Sequence, residues 1–340
     1  MTRQRIPDDV LSAAHARARA RETRDWPEAD RLRVEIEAAG WKIADRGTDF
    51  ALTPAAPPDL TDGARVRYGS SASVPSRLDD PAVGLATVVL VATDWPDDLA
   101  RALAGLRAGS PPGTSVVIVA DAPSPEQAAA LDALQAEAGG ADREAAGASG
   151  ASVDSGAPGL PVEIVWTSDR LGHAAATNVG LRRAMGPVAI LFDTSLEPSG
   201  DVVTPLVEAL RDASVAVAGG WGIVSADLRR FDDAPAGDVD AIEGYLQAFR
   251  RAEFAARGPL DERFRFYRNL DIWWSLVLRD EGEGSPPRRA VGLDGLPIVR
   301  HEHRGYTSLP DAERDRQSKR NFYRILDRFG ARRDLLVRAG

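Results

Sequence analysis

One continuous stretch, Gly172 to Ser199 (GHAAATNVGLRRAMGPVAILFDTSLEPS), constrains this chain more than any total does. A glycine-opened turn leads into a helix that carries small residues, Ala174 to Ala176, and Asn178 along its first turns. Met185-Gly186-Pro187 stops the helix, and a short apolar strand, Val188 to Phe192, ends abruptly in Asp193-Thr194-Ser195. Open α/β sheets place ligand chemistry at the C-terminal ends of buried strands. The stretch therefore predicts an α/β fold with Asp193 at its working edge.

The flanking sequence supplies the rest of such a sheet. Gly84 to Ala92 (GLATVVLVA) and Ser115 to Ala120 (SVVIVA) are near-continuous apolar runs, the pattern of parallel strands covered on both faces. The second run ends at Asp121, and Val162 to Trp166 reads as a third strand. Helices are predicted over Asp97 to Arg107 and from Pro125 towards Ala138, so the β-α-β-α-β order gives a doubly wound parallel sheet. Beyond Ser199 come a helix, Val202 to Arg211, and a strand, Val215 to Gly219. Residues 139–159 are Ala/Gly/Ser-rich and too poor in large apolar groups to pack, which predicts a disordered loop. Residues 53–82, rich in Pro, Ser, Gly and Asp, read as a linker. Ahead of it, residues 9–37 show helical spacing interrupted at Asp25-Trp26-Pro27, where Asp25 suits a cap and Pro27 a first turn. Trp41 to Asp45 follows as a short extended tail.

Composition closes off several classes. The formal charge is −9 and lysine occurs only at Lys42 and Lys319, which argues against a general nucleic-acid-binding surface. The absence of cysteine excludes disulfides, thiol catalysis and thiolate metal sites. No apolar signal core opens the chain, and Val83 to Ala92, the longest apolar run, falls far short of a membrane helix. A cytoplasmic protein is expected.

An ordered set of motifs over residues 84–330 resembles the family 2 glycosyltransferases, whose fold is GT-A. The set comprises the Gly172–Ser199 helix and strand, Ala241 to Arg251 before Gly258-Pro259-Leu260-Asp261-Glu262-Arg263-Phe264, then Arg268-Asn269-Leu270-Asp271, and Val299-Arg300-His301 before Lys319-Arg320-Asn321-Phe322-Tyr323. The resemblance implies a GT-A domain over 83–340. It also implies a nucleotide-sugar donor, a hydroxyl acceptor on a glycan or lipid-linked carrier, and a role in cell-envelope or polysaccharide assembly. Residues 20–50 resemble the small C-terminal module of bacterial cysteinyl-tRNA synthetases, so 1–52 is expected to be a helical hairpin module. Its balanced charges favour packing or dimerisation over RNA contact.

The resemblance also implies roles for residues. Asp121 stands where the family's acid meets the donor base, and its bland alternative is a turn or helix cap. Arg170 and Gly172 stand where a helix start approaches the donor; His173, beside them, is expected at the surface. Asp193 and Ser195 occupy the family's Asp-x-Asp, so one carboxylate of a Mg²⁺ or Mn²⁺ site is missing. Glu197 and the late His301 are the residues that could complete it. Asn269 stands where inverting members have their general base, and an amide cannot act as one. Asp271, two residues on, is the replacement base or else a helix cap. These departures leave two readings: a working transferase at the membrane's inner face or in the cytoplasm, or a degenerate GT-A domain that binds a nucleotide or glycan as a scaffold.

Overall fold

The computed structural model describes residues 6–47, 49–63, 65–147 and 159–337. The chain divides into two compact units, Met1–Pro58 and Asp59–Gly340.

In the first unit, α1 (Asp8–Glu22) and α2 (Trp26–Ala38) form a helical hairpin. The Asp25 carboxylate caps α2 by accepting from the Glu28 N–H at 3.2 Å. The expected tail at Trp41 is instead the first strand of a β-hairpin, β1 (Trp41–Arg46) on β2 (Asp49–Pro54), in antiparallel register from Trp41–Pro54 to Arg46–Asp49. Alternation explains it: Trp41, Ile43, Phe50 and Leu52 all pack on the core of Val10, Ala14, Leu32 and Ile36. Arg17, buried in α1, is held by Asp45 at 2.7 Å.

The second unit begins earlier than the sequence suggests. β3 (Leu60–Asp62) and β4 (Arg65–Tyr68) lie within the predicted linker, and β4 pairs in parallel with a later core strand. The irregular residues that follow are also fixed. Val74 is buried, the Arg182 guanidinium donates to the Val74 carbonyl at 3.0 Å, and Arg183 donates to the Pro75 carbonyl at 2.9 Å. Arg251 holds the carbonyls of Arg77 and Asp80. Polar composition concealed order that distant arginines impose.

The doubly wound half runs β5 (Ala86–Ala92), α3 (Pro96–Gly109), β6 (Thr114–Ala120), α4 (Pro125–Gly147), β7 (Val162–Thr167), α5 (His173–Arg183), β8 (Val188–Phe192). β5 is apolar throughout because both faces are covered: Val88 and Leu90 meet Leu99, Leu103 and Leu106 of α3, while Val89 lies with Leu181 of α5. Gly180 allows α5 to sit that close, since a Cβ there would stand 2.3 Å from Val89. Residues 139–147 of the expected loop continue α4, and 148–158 lie outside the described residues.

The remainder adds β9 (Leu196–Pro198), α6 (Val203–Ala209), β10 (Val215–Gly219), β11 (Gly222–Ser225), β12 (Phe231–Ala234), β13 (Gly237–Val239), β14 (Ala241–Ile242) and β15 (Leu246–Arg250). The Ala241–Arg251 stretch thus holds two strands, separated at Glu243-Gly244-Tyr245. Then come α7 (Arg251–Arg257), α8 (Leu270–Arg279), β16 (Arg289–Gly292), β17 (Ile298–Arg300), α9 (Arg304–Thr307) and α10 (Asp311–Phe329). Ten strands form one mostly parallel sheet in the order β13-β16-β10-β15-β8-β5-β6-β7-β4-β3. β5 follows β4 in the chain yet lies between β6 and β8, so the winding direction reverses there, and a crevice opens at the C-terminal ends of β5, β6 and β8. Among the described residues, no helix is long and apolar enough to cross a membrane.

Candidate functional site

A cleft of about 950 Å³ occupies that crevice, lined by Asp121, Arg170, Gly172, Asp193, Ser195, Asn269 and Asp271. The sheet brings all seven together, although they span 150 positions from 121 to 271. His301 is not among the lining residues, and neither is Glu197.

Asp193 follows β8 directly. Its Oδ1 accepts from the Ser195 N–H at 2.8 Å and from the Ser195 hydroxyl, and its Oδ2 lies 3.1 Å from His303 Nε2. Burial pushes its pKa up, but the His303 and Ser195 hydrogen bonds outweigh that and hold it below the usual range. The partner is therefore His303 and not the expected His301. Residues two apart share a face only in a strand, and β17 ends at Arg300 before the chain turns into α9. His301 Nε2 instead meets Glu197 Oε2 at 2.6 Å, which removes both from the cleft.

His303 also decides whether a divalent ion fits. Its Nδ1 accepts from the Tyr306 N–H at 3.1 Å, so the ring proton sits on Nε2, the nitrogen that faces Asp193. A ligating nitrogen needs a lone pair there. Burial lowers the His303 pKa, yet the hydrogen bond and charge of Asp193 more than offset this and raise it. With Ser195 in place of a second acid and its hydroxyl already bound to Asp193, the donor set does not fit a metal. Among the described residues, no group of three or more acidic or histidine side chains is arranged to hold one.

Asp121 is 2% exposed. Its oxygens accept from the N–H groups of Leu171 at 2.8 Å and Gly172 at 3.3 Å, and from the Thr167 hydroxyl at 3.2 Å. It thereby fixes the loop between β7 and α5. Burial outweighs these bonds and raises its pKa. Gly172 has φ 93° and packs on Arg265, where a Cβ would stand 3.0 Å from the Arg265 backbone. Arg170 forms a bidentate pair with Asp94 at 2.8 and 3.1 Å and reaches the Ala122 carbonyl at 3.1 Å. His173 is not the surface residue expected: it lines the cleft edge-on to Tyr267, and burial pushes its pKa down to about 4.

Asn269 caps α8 in the left-handed region, φ 70°, and its amide donates to the Ser318 carbonyl of α10 at 3.0 Å. Asp271 lies in the first turn of α8. Its Oδ2 accepts from the Gly244 N–H at 2.8 Å and its Oδ1 from the Ile272 N–H at 2.9 Å. Burial raises its pKa. Glu243, which sequence reasoning missed, stands beside it; burial first and the Asp271 charge second raise its pKa too. Gly244 makes this approach possible, since a Cβ there would stand 3.2 Å from the Asp271 side chain. His303, Tyr245 and Tyr267 were missed as well, although Tyr267 stacks on His303 at 4.4 Å. The only signals in the sequence were the break at Glu243-Gly244 and the second histidine two positions after the first.

The model of the glycosyl transferase family 2 matches residues 87–256, half of the chain, from the second residue of β5 through β15. The chain belongs to this family. Two solved family-like folds superpose on it. One is GalNAc-T7 with UDP, GalNAc and Mn²⁺, at a TM-score of 0.52 and 15% identity, covering 73% of this chain and 48% of that one. The other is the mannosyltransferase PcManGT of Pyrobaculum calidifontis with GDP-Man and Mn²⁺, at 0.50 and 18%, covering 78% and 73%. At those identities the likeness is one of fold. Curated relatives match elsewhere: the cysteine–tRNA ligases of Rubrobacter xylanophilus, 54% identical over 47 residues, and of Opitutus terrae, 42% over 50. These alignments take up 14% and 15% of this family 2 chain and span 10% and 11% of the ligases' length.

Proposed function

We propose that the second unit transfers a hexosyl or deoxyhexosyl group from a nucleoside diphosphate sugar to a hydroxyl on a glycan or lipid-linked acceptor, in cell-envelope or polysaccharide assembly. The observation that carries this reading is the convergence of Asp121, Arg170 and Asp193 with the Asp271–Glu243 pair on one cleft at the sheet's reversal point. Family membership supports it. The acceptor oxygen forms a bond to the anomeric carbon as the bond from that carbon to the diphosphate oxygen breaks, and the hydroxyl proton passes to a base. Asp271 is assigned that role. Its backbone hydrogen bonds fix its orientation and leave it lone pairs, and burial makes it more basic than an exposed acid. Asp121, by fixing the loop of Arg170 and Gly172, shapes the donor side.

Ser195 and Asn269 favour a second reading, a binding domain without turnover, because each replaces an acid that the family resemblance expects. Transfer assays with a panel of UDP-, GDP- and dTDP-sugars decide between them. Turnover that falls about 10²- to 10⁴-fold in Asp271→Asn, with UDP or GDP affinity unchanged, supports catalysis through Asp271. Nucleotide binding with no turnover for any donor would leave the binding domain.

A further inference from the structure

Most acids of the cleft are already engaged. Asp94 pairs with Arg170, Asp98 with Arg101 and Arg304, Asp193 with His303 and Ser195, and Asp121 with backbone N–H groups. Glu243 pairs with Arg300 at 3.3 Å, Asp271 accepts from two backbone N–H groups, and Asp233 forms no ion pair among the described residues. Four cations that line the same cleft form no ion pair among the described residues: Arg229, Arg265, Arg268 and Lys319. The last three lie on the segment before α8 and on α10, which hydrogen bonds tie together. The Arg265 guanidinium donates to the Arg170 carbonyl at 2.9 Å, and Arg268 lies over the Tyr306 ring at 5.4 Å.

Two amides, one buried and one half-buried, tie the segments of Arg265, Arg268 and Lys319 together. Asn321 of α10, 3% exposed, donates to the carbonyls of Phe266 at 2.8 Å and Arg268 at 2.9 Å. Asn269 returns a bond to Ser318, the neighbour of Lys319. The Arg265 carbonyl accepts from the His173 N–H at 2.9 Å, which ties that residue to the start of α5. Tyr267, between the two arginines in sequence, stacks on the His303 that holds Asp193. The cations therefore line the same cleft as the acid where a family 2 metal is expected, and that acid lacks the donors to hold a metal.

We propose that a diphosphate entering this cleft is held by Arg265, Arg268 and Lys319 in place of a divalent cation. The assignment rests on the transferase reading for the origin of the diphosphate, the donor's own. Guanidinium groups bind phosphoryl oxygens through paired N–H donors, and an ammonium adds a compact third charge. When the glycosyl bond breaks, these groups take up the charge that develops on the departing diphosphate.

Calorimetric titration of the full chain with UDP, GDP and inorganic pyrophosphate, in EDTA and in Mn²⁺, tests it. All ligands that bind should do so about equally in both, and weaken as ionic strength rises. Arg268→Gln and Lys319→Gln should each weaken binding roughly tenfold without shifting the melting temperature, with Arg268→Lys recovering part of the loss. Nucleotide binding that needs Mn²⁺, or that is untouched in both Gln variants, overturns the cationic site and leaves the transferase reading standing. Pyrophosphate bound in EDTA with no nucleotide bound keeps the cationic site and removes the nucleotide-sugar reading. Absence of both overturns both.

Discussion

Asn269 and Asp271 show how one short segment divides two tasks. Asn tolerates the left-handed backbone that starts α8, and its amide spans to the Ser318 carbonyl. Asn269→Asp would set a carboxylate against that carbonyl. It is expected to cost about 1–3 kcal/mol in denaturant melts and to leave turnover no higher than the native rate; a faster enzyme of unchanged stability would contradict this. Asp271 and Glu243 predict the pH dependence. Both pKa values are raised, so the native state holds these protons more tightly than the unfolded chain, and the two groups cost stability as pH rises through their folded values. The base must be ionised to work, so the acidic limb of kcat/KM should lie above the ordinary carboxylate range. Glu243→Gln removes a neighbouring negative charge and should move that limb down; a limb that stays in place would detach Glu243 from the base.

At the scale of elements, the segment between β4 and β5 holds its place through other elements' side chains. Arg251 is 6% exposed and donates to two carbonyls of this segment, so Arg251→Ala leaves buried acceptors bare. A loss of about 2–3 kcal/mol is expected, along with new protease cuts between residues 69 and 83, where the native chain should resist. Early cleavage there in the native protein would restore the linker. The contrast marks what the sequence could reveal. β5, β6, β7 and β8 were legible because a strand covered on both faces must be apolar throughout, and the acid ending each of β6 and β8 identified the working edge. β4 was not, because Arg65-Val66-Arg67-Tyr68 alternates charge with apolar groups near a sheet edge, and its neighbours are fixed by arginines more than a hundred positions away. The cleft was legible in its acids for the same reason. His303 and Glu243 were not, since each depends on where a strand stops: β17 at Arg300 and β14 at Ile242.

At the scale of the molecule, the two units carry separate cores, and their likenesses point to different proteins. The 47 residues aligned to a tRNA ligase at 54% identity raise the question of RNA contact, and several of the unit's arginines are already paired. Arg31 is paired with Glu28 and Glu35, Arg33 with Glu37, and Arg17 and Arg21 with Asp45. A phosphate would have to displace these carboxylates, and such pairs on one helix face are what a solvated surface shows. Binding that depends on phosphate contacts falls steeply as salt rises, so a genuine tRNA site would display that slope. Bulk tRNA is expected to show no saturable binding to the full chain at physiological salt. A chain beginning at Asp59 should bind UDP and pyrophosphate as the full chain does, because every residue assigned to the cleft lies in the second unit. Gel-shift titrations over a salt series, paired with calorimetry on both lengths, check the two statements together. Salt-sensitive tRNA binding that vanishes with residues 1–58 would make the first unit an RNA module. Loss of UDP binding on the same deletion, with the fold of the remainder intact, would mean that the first unit helps to form the donor site.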